Sequence, residues 1–554
     1  MYSFSFYMIF SYSFNAWTGY KTGMLRPGAT AFKIIAMSCR LWENRDAAMR
    51  CRRLAKAGPG RQLRSAWMEH RLQTDRGIIM NQEDQELHEG LERGLKNRHI
   101  QLIGLGGAIG VGLFLGSATA IELAGPSVLL TYVIGGIAIY FIMRALGELS
   151  VAYPVSGAFS AHAARFLGQK WGYMTGWTYW YMWMVTCMAE LTAVGIYMNF
   201  WYPDLPQWVS ALVALLIMTA VNFIAVSAYG ECEFWFALIK IVTIIFMIVS
   251  GAGMVFFGIG NDGIATGISN LWSHGGFFPN GVSGTLMALV MVMYSYLGIE
   301  IIGVTAGEAH DPKSTIKKAV DEVFWRILIF YVLSLAVIMS IYPWNEIGHM
   351  GSPFVITFEK LGIRGAADII NLVVITAVLS SCNSGIFSSG RMLYNLSLQG
   401  NAPKCFQTLN RHRLPWVGIL FSAGVLLLAV ILNYIMPSQV FVYITSVGSF
   451  GALFVWFVIL YTQNRFRASL TEEAKAKLSY RMPGAPYTGY LTMAFILCVV
   501  IASAFREDTR VALYVTPVWI ILLLVLHPVL TKKHGGKVVD VVSATDNKEM
   551  PQAK

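Results

Sequence analysis

The sequence contains few charged residues. Asp, Glu, Lys and Arg make up only 13% of its 554 residues, whereas 55% of the residues are hydrophobic. Soluble domains carry about 25% charged residues. This composition therefore excludes a soluble fold and predicts an all-α integral membrane protein.

Cysteine is scarce as well. The seven cysteines form no CxxC pair and no cluster with histidine, and most of them lie in apolar segments. This spacing argues against the usual zinc motifs and against a disulfide framework, so we expect no metal and no cofactor. The sequence offers no evident pairing of a nucleophile with a base, and we therefore predict that the protein is not an enzyme.

Positive charge is concentrated at the N-terminus. The formal net charge is +11, and residues 1–79 hold 13 Lys and Arg against 4 Asp and Glu. The remainder is nearly neutral, so a nucleic-acid partner has no support. Residues 1–79 also lack the apolar run of a signal peptide. We predict that they are an extension upstream of a natural start at Met80. The alternative is a basic tail on the membrane surface.

Long apolar segments dominate from residue 100 onward, after a polar cytoplasmic lead-in at 80–99. Ser352–Leu361 is too short to span and is predicted to form a surface helix outside the membrane. Twelve other segments have the length of transmembrane helices. We number them one to twelve and place them at 100–121, 126–148, 172–200, 207–228, 233–258, 283–305, 322–342, 366–396, 416–435, 439–463, 487–505 and 510–531.

Lysine and arginine are distributed unevenly between the connecting loops. One set of alternating loops holds eighteen of them, from Lys96 to Lys533, and the opposite set holds four. Because cytoplasmic loops are the positively charged ones, both termini are predicted to be cytoplasmic, including the tail 532–554. An even number of spans agrees with this orientation.

Glycine is concentrated in segment one, where residues 104–116 read GLGGAIGVGLFLG. Glycine weakens helices, and irregular backbone at membrane depth is tolerated only inside protein or beside a wet cavity. The run therefore predicts a broken helix whose free N–H groups attract a carboxylate. The alternative is that Gly106, Gly110, Gly112 and Gly116 only allow close helix packing.

Segment six repeats this pattern, with Tyr294–Glu300 followed by Gly303. Two interrupted helices in corresponding positions of two halves indicate a binding site near the membrane midplane. The free carbonyls at the end of a first half-helix suit an ammonium group. Two such breaks side by side therefore favour a zwitterion, and Tyr294 is placed to cover it.

Three ionisable residues lie within predicted spans, where they are costly and commonly functional. Lys240 either extends to the interface or replaces a bound sodium ion and exchanges a proton. Glu190 is its possible partner or a second proton carrier, and otherwise a buried hydrogen-bonding group. Glu300 follows the break in segment six, where it is either functional or bonded to helix ends. The polar stretch Ser380–Ser384 either bonds across helices or lines a polar path.

The chain from about Leu91 to Lys533 resembles the bacterial amino acid permeases of the amino acid transporter family, in the amino acid–polyamine–organocation superfamily. PWNEIG and SCNSG are most similar to threonine/serine and proline permeases, and FREDTRVALYVTP to the D-serine/D-alanine/glycine permease. The stretches that carry the family resemblance are GLKNRHIQLIGLGGAIGVGLFLGS, AGPSVLLTYVIGG, MRALGEL, GECEFWFALIK, GIEIIGVTAGEAHDP, SPFV and SCNSGIFSSGRMLY.

This resemblance implies a leucine-transporter-type fold with helices 1 and 6 broken. Two inverted repeats of five helices, at 100–258 and 283–463, would be followed by two further helices at 487–531. The implied activity is import of an amino acid with a proton by alternating access. No obligate protein partner is expected.

The resemblance also implies roles for individual residues. Ile109, Gly110 and Gly112 would bind the substrate carboxylate. Tyr294, Ser295 and Leu297 would hold the amino group and the side chain. Lys240 matches the lysine at the sodium position of proton-coupled relatives, and Glu300 matches the acidic residue after the second break.

We therefore predict an inner-membrane symporter of protons and a small neutral amino acid of the threonine/serine, proline or alanine/glycine type. The alternatives are a histidine or aromatic amino acid permease of the same fold, a proton-independent exchanger, or an amino acid sensor.

Overall fold

The predicted extension 1–79, the lead-in 80–99, the glycines at 104–107 and the tail beyond residue 532 lie outside the residues that the structure describes. Within the described residues the chain is helical and contains no strand, so the predicted all-α fold class is confirmed. The computed structural model describes residues 109–153, 157–223, 226–305, 312–347, 352–360, 365–437 and 439–532.

The helices are numbered here in chain order over this described part. They are α1 Val111–Phe114, α2 Gly116–Ala124, α3 Val128–Ala152, α4 Ala158–Leu167, α5 Gln169–Met198, α6 Gln207–Val221, α7 Val226–Phe257, α8 Gly281–Ser295, α9 Ile301–Thr305, α10 Pro312–Ile327, α11 Ser334–Ile341, α12 Trp344–Ile347, α13 Pro353–Lys360, α14 Ala366–Leu398, α15 Trp416–Ile435, α16 Val440–Ala468, α17 Glu472–Lys477, α18 Tyr487–Ala502 and α19 Glu507–Lys532.

Eight helices in the described residues are long and apolar enough to cross a membrane. One of them, Gly116–Ala152, covers the end of predicted segment one and the whole of segment two, which Gly125 separates with a φ of 60°. Segment seven coincides with a helix pair bent by 41°, which makes a ninth span if it is counted as one. The shorter apolar helices α6 and α8 account for segments four and six. Every predicted segment therefore has a helical counterpart.

Helix α5 forms the centre of the bundle. In an apolar stretch of 18 residues of this helix, 83% of the residues are buried. The helix packs against α4, α6, α14 and α16. In α19 the corresponding share is 17%, as expected of a helix whose apolar side chains face lipid. The residues that face the interior from α5 are thus held by neighbours on several sides.

Segments one and six are both interrupted, as predicted. The backbone at Gly110 is extended, with φ −129° and ψ −152°, and helix α1 begins at Val111. Helix α8 ends at Ser295, and α9 begins only at Ile301. Between them Gly298 has a φ of +93°, a left-handed conformation that glycine adopts without steric cost.

One sequence prediction needs correction, and another needs the full length of its helix. The segment predicted as a surface helix does form α13, but Phe354 and Phe358 are buried on one of its faces. Ser352 Oγ also donates a hydrogen bond to the carbonyl of Phe114 at 2.7 Å, so α13 packs inward rather than lying exposed. Helix α7 begins at Val226, but the part of it that can span the membrane is Glu233–Phe257. Lys240 therefore lies two turns inside this span, as predicted.

A buried carboxylate joins three elements at one end of the bundle. Glu148 of α3 is fully buried. It accepts hydrogen bonds from Arg467 Nε and Nη2 of α16 at 2.7 and 2.8 Å, and from the backbone N–H of Met482. Because a bidentate arginine and a main-chain donor satisfy both oxygens, the charge is tolerated inside the protein.

We expect Glu148→Ala to lower the free energy of unfolding by about 3–5 kcal/mol, because it leaves the largely buried Arg467 without its partner. Thermal unfolding in detergent measures this loss. The matched control is Glu472→Ala, since the Glu472 side chain is 90% exposed in its pair with the partly exposed Lys475 and such surface pairs contribute about 0–1 kcal/mol. Equal destabilisation by both changes would contradict the structural role of Glu148.

Candidate functional site

A small cavity lies where the interrupted segments one and six meet, with an empty volume of about 210 Å³. Six of its eight lining residues were predicted from the sequence as site residues, and Thr186 of α5 and Ser381 of α14 were not. The eight residues are Gly110, Gly112, Thr186, Glu190, Tyr294, Ser295, Leu297 and Ser381.

The two interrupted helices touch each other through their backbones. A Cβ atom added to Gly112 would lie 2.6 Å from Ser295 Cα, a separation that no side chain allows. Ser295 Oγ donates a hydrogen bond to the carbonyl of Gly112 at 2.8 Å. Glycine at 112 is therefore required for the close approach, and Ser295 fixes the two breaks side by side.

Three tyrosines hold the end of α8 beside the cavity. Tyr331 donates a hydrogen bond to the carbonyl of Ser295 at 2.9 Å, and the hydroxyls of Tyr132 and Ser295 lie 3.1 Å apart. Tyr296 in turn donates to the carbonyl of Tyr132 at 2.7 Å. The Ser295 carbonyl lies at the end of a first half-helix, where the sequence predicts that an ammonium group binds, and it already accepts one hydrogen bond. A carbonyl oxygen has two lone pairs, so it can still accept a second.

The free end of α1 is occupied by a carboxylate from α5. The backbone N–H of Val111 lies 3.3 and 3.2 Å from Glu190 Oε1 and Oε2. Glu190 is only 2% exposed, and Ser381 also interacts with its carboxylate. A helix N-terminus carries a partial positive charge. Glu190 therefore supplies the negative group that this end attracts.

Lys240 is fully buried on α7, so its side chain does not extend to the membrane interface in this conformation. It interacts electrostatically with Glu190 of the cavity and with Glu233, a second buried carboxylate on α7. Lys240 does not line the cavity itself. Glu190 and Glu233 thus both lie within electrostatic range of Lys240, and the pairing of Lys240 with Glu190 in proton coupling stays a prediction.

Two predicted residues lie beside the cavity rather than on its wall. Ile109 is fully buried next to Gly110. Glu300 is fully buried in the segment between α8 and α9, where its Oε2 atom lies 3.4 Å from Trp456 Nε1 of α16. Glu300 therefore faces α16, whereas Glu190 and Lys240 are grouped around α5 and α7.

Sequence reasoning missed two polar residues of this region, Thr186 and Glu233, and it noted Ser381 only as part of the polar stretch Ser380–Ser384. Thr186 gives no signal of its own, because hydroxyl side chains are common in membrane helices and usually bond to their own backbone. Glu233 did carry a signal, since it precedes Lys240 by seven residues in an apolar helix. Residues at this spacing share one helix face.

Comparison with known proteins identifies the family. Residues 99–538 match the Amino acid permease family. The chain belongs to this family. It is 58% identical over 448 residues to the uncharacterized amino acid permease YtnA of Bacillus subtilis strain 168. The matched stretch covers 81% of this chain and 96% of YtnA.

Two further relatives from the same organism carry functional names. The probable threonine/serine transporter YbxG is 50% identical over 435 residues, which is 78% of this chain and 94% of the relative. The amino-acid permease AapA is 45% identical over 448 residues, or 81% and 96% of the two chains. The permease is thus a membrane-embedded amino acid transporter rather than an enzyme, and its family supports a plasma membrane location.

We expect Gly110→Ala to reduce the affinity for substrate by at least about tenfold, or 1.4 kcal/mol. The added Cβ would lie 2.8 Å from Ser381 Oγ and closer still to Glu190 Oε1, so it would crowd the groups around the end of α1. Substrate binding to the purified protein measures the change.

The matched control for this prediction is Gly424→Ala. A Cβ at Gly424 meets no atom within 4 Å, and the residue lies near the middle of the transmembrane helix α15. Normal affinity in the Gly110 variant, or an equal loss in both variants, would remove Gly110 from the site.

Proposed function

We propose that this permease imports a small neutral amino acid together with a proton, by alternating access, with both of its termini in the cytoplasm. The observation that carries the proposal is the contact between the Glu190 carboxylate and the N–H of Val111 at a small cavity. It supports a site that accepts one carboxylate and has an acid beside it that can take a proton.

The carboxylate of the amino acid competes with Glu190 for the end of α1. Both are carboxyl groups, and a helix N-terminus stabilises negative charge through its free N–H groups. Two carboxylates side by side repel each other, and this repulsion favours protonation of one of them. In our proposal the substrate carboxylate takes the Val111 N–H, and Glu190 binds the transported proton.

The remaining polar groups of the cavity suit the amino group and a short side chain. The carbonyl of Ser295 accepts one hydrogen bond from Tyr331 and retains a second lone pair for an ammonium group. The Tyr294 hydroxyl is buried and has no hydrogen-bond partner among the described residues. A ligand that bonds to it would satisfy a group that is otherwise costly to bury.

The lining of the cavity favours a small polar substrate. Thr186, Ser295 and Ser381 contribute hydroxyl side chains to its wall. The relative named as a probable threonine/serine transporter supports the same choice.

The proposal is tested by uptake into liposomes that contain the purified permease, with the external side made acidic by one pH unit. We expect labelled L-threonine, L-serine, L-alanine, glycine or L-proline to accumulate, up to about tenfold for one proton per substrate molecule. Competition by a full panel of L- and D-amino acids then ranks the side chains.

A protonophore that collapses the gradient is the control, and it should abolish accumulation while leaving exchange intact. Preferential competition by histidine or by aromatic amino acids would contradict the substrate class. Exchange without any gradient-driven accumulation would contradict proton coupling.

A further inference from the structure

Lys240 interacts with two buried carboxylates, and the mechanism above uses only one of them. Glu190 lines the central cavity, whereas Glu233 lies on α7 itself, seven residues before Lys240. The three side chains are at most 2% exposed. A charge that has no function is seldom kept in such a place, because its burial is costly.

Glu233 lies on the side of Lys240 that is nearer the start of α7. Seven residues are two helical turns, so both side chains leave the same face about 10 Å apart along the axis. In the predicted orientation α7 begins at Val226 on the cytoplasmic side. Glu233 is therefore nearer the cytoplasm than Lys240.

Polar groups of α14 surround Glu233 within an otherwise apolar region. Ser380 Oγ donates a hydrogen bond to Glu233 Oε1 at 2.5 Å, and Asn383 and Ser384 also interact with the carboxylate. Asn222 of the segment after α6 donates to Asn383 Oδ1 at 2.7 Å. The polar stretch Ser380–Ser384, noted in the sequence, thus provides the environment of this carboxylate.

We propose that Glu233 receives the transported proton from the cavity and passes it towards the cytoplasm. This inference rests on the proton coupling proposed above and extends it by one residue. Glu190 would hold the proton while substrate is bound, Lys240 would carry it, and Glu233 would accept it.

The transfer balances in atoms and in charge. The Lys240 ammonium first gives one N–H proton to the Glu233 carboxylate, and the neutral amine that results then takes the O–H proton of Glu190. One O–H bond breaks on Glu190 and one forms on Glu233, while Lys240 is an ammonium before and after. The net charge of the three residues is zero in both states.

The other titratable groups that interact with Glu190 are Cys187 and Tyr197 of α5 and Tyr294 of α8. Their ordinary pKa values lie well above 7, so they are poor proton acceptors at physiological pH. Glu233 is the carboxylate that interacts with Lys240 from the cytoplasmic side within the described residues.

The test uses liposomes that contain the full-length permease and labelled L-threonine, L-alanine or glycine. We expect Glu233→Gln to exchange substrate across the membrane at equal pH at a rate within about threefold of the unsubstituted protein. Gradient-driven accumulation should be lost, because an amide cannot accept the proton. The matched control is Glu231→Gln, two residues away on the same helix and partly exposed, which should accumulate substrate normally.

The outcomes separate this inference from the proposed function. Failure of the unsubstituted permease to accumulate substrate would overturn proton coupling itself, and this inference with it. Normal accumulation by Glu233→Gln beside a coupled unsubstituted permease would overturn only the role of Glu233. Loss of coupling in both Glu231→Gln and Glu233→Gln would also contradict it, because the effect would then be unspecific.

A second variant keeps the test decisive if Glu233→Gln does not exchange substrate. Ser380→Ala retains the carboxylate and removes the hydroxyl that donates to it. Because this hydrogen bond binds the carboxylate that receives the proton, its loss should change the pH at which accumulation is half-maximal. An unchanged pH profile in a Ser380→Ala protein that still exchanges substrate would overturn the proposal. The proposal would also be overturned if Ser380→Ala does not exchange substrate while Glu231→Gln does.

Discussion

The site depends on the contact between the Glu190 carboxylate and the backbone N–H of Val111. A helix that begins inside a membrane protein has free N–H groups, and no water of the bilayer core is present to satisfy them. Glu190 of α5 satisfies this end from only 3.2 and 3.3 Å. The extended backbone at Gly110 is therefore stable without a ligand, and it remains a place where another carboxylate can bind.

Several other features of the fold support this contact. Gly112 lets the backbones of segments one and six meet, and Ser295 joins them with a hydrogen bond. Glu190 belongs to α5, which is the most deeply buried span in the described residues and therefore holds its side chain in a fixed position. Lys240 interacts with the same carboxylate from α7. The helix end, the carboxylate and the lysine thus form one connected unit, in which a change at the cavity alters the balance of charge around α7.

Much of this arrangement could be predicted from the sequence, because broken membrane helices need glycine and a buried charge is rare. The glycine run and its partner around Gly298 indicated both breaks, and hydropathy indicated the spans. The contact between Glu190 and the N–H of Val111 could not be predicted, because it depends on how α5 is rotated against α1. Likewise, the sequence indicated a helix after Ser352, but the packing of Phe354 and Phe358 depends on tertiary contacts. Thr186 was missed for the same reason, and Ser381 was noted only as part of the polar stretch Ser380–Ser384.

The central claim is that the substrate carboxylate takes the place of Glu190 at the end of α1. The most direct measurement is an experimental structure of the permease with its best transported amino acid bound. The account predicts a substrate carboxylate oxygen within about 3 Å of the Val111 nitrogen, with the Glu190 carboxylate withdrawn from it. A structure in which Glu190 still accepts the Val111 N–H while the amino acid is bound elsewhere would contradict the account.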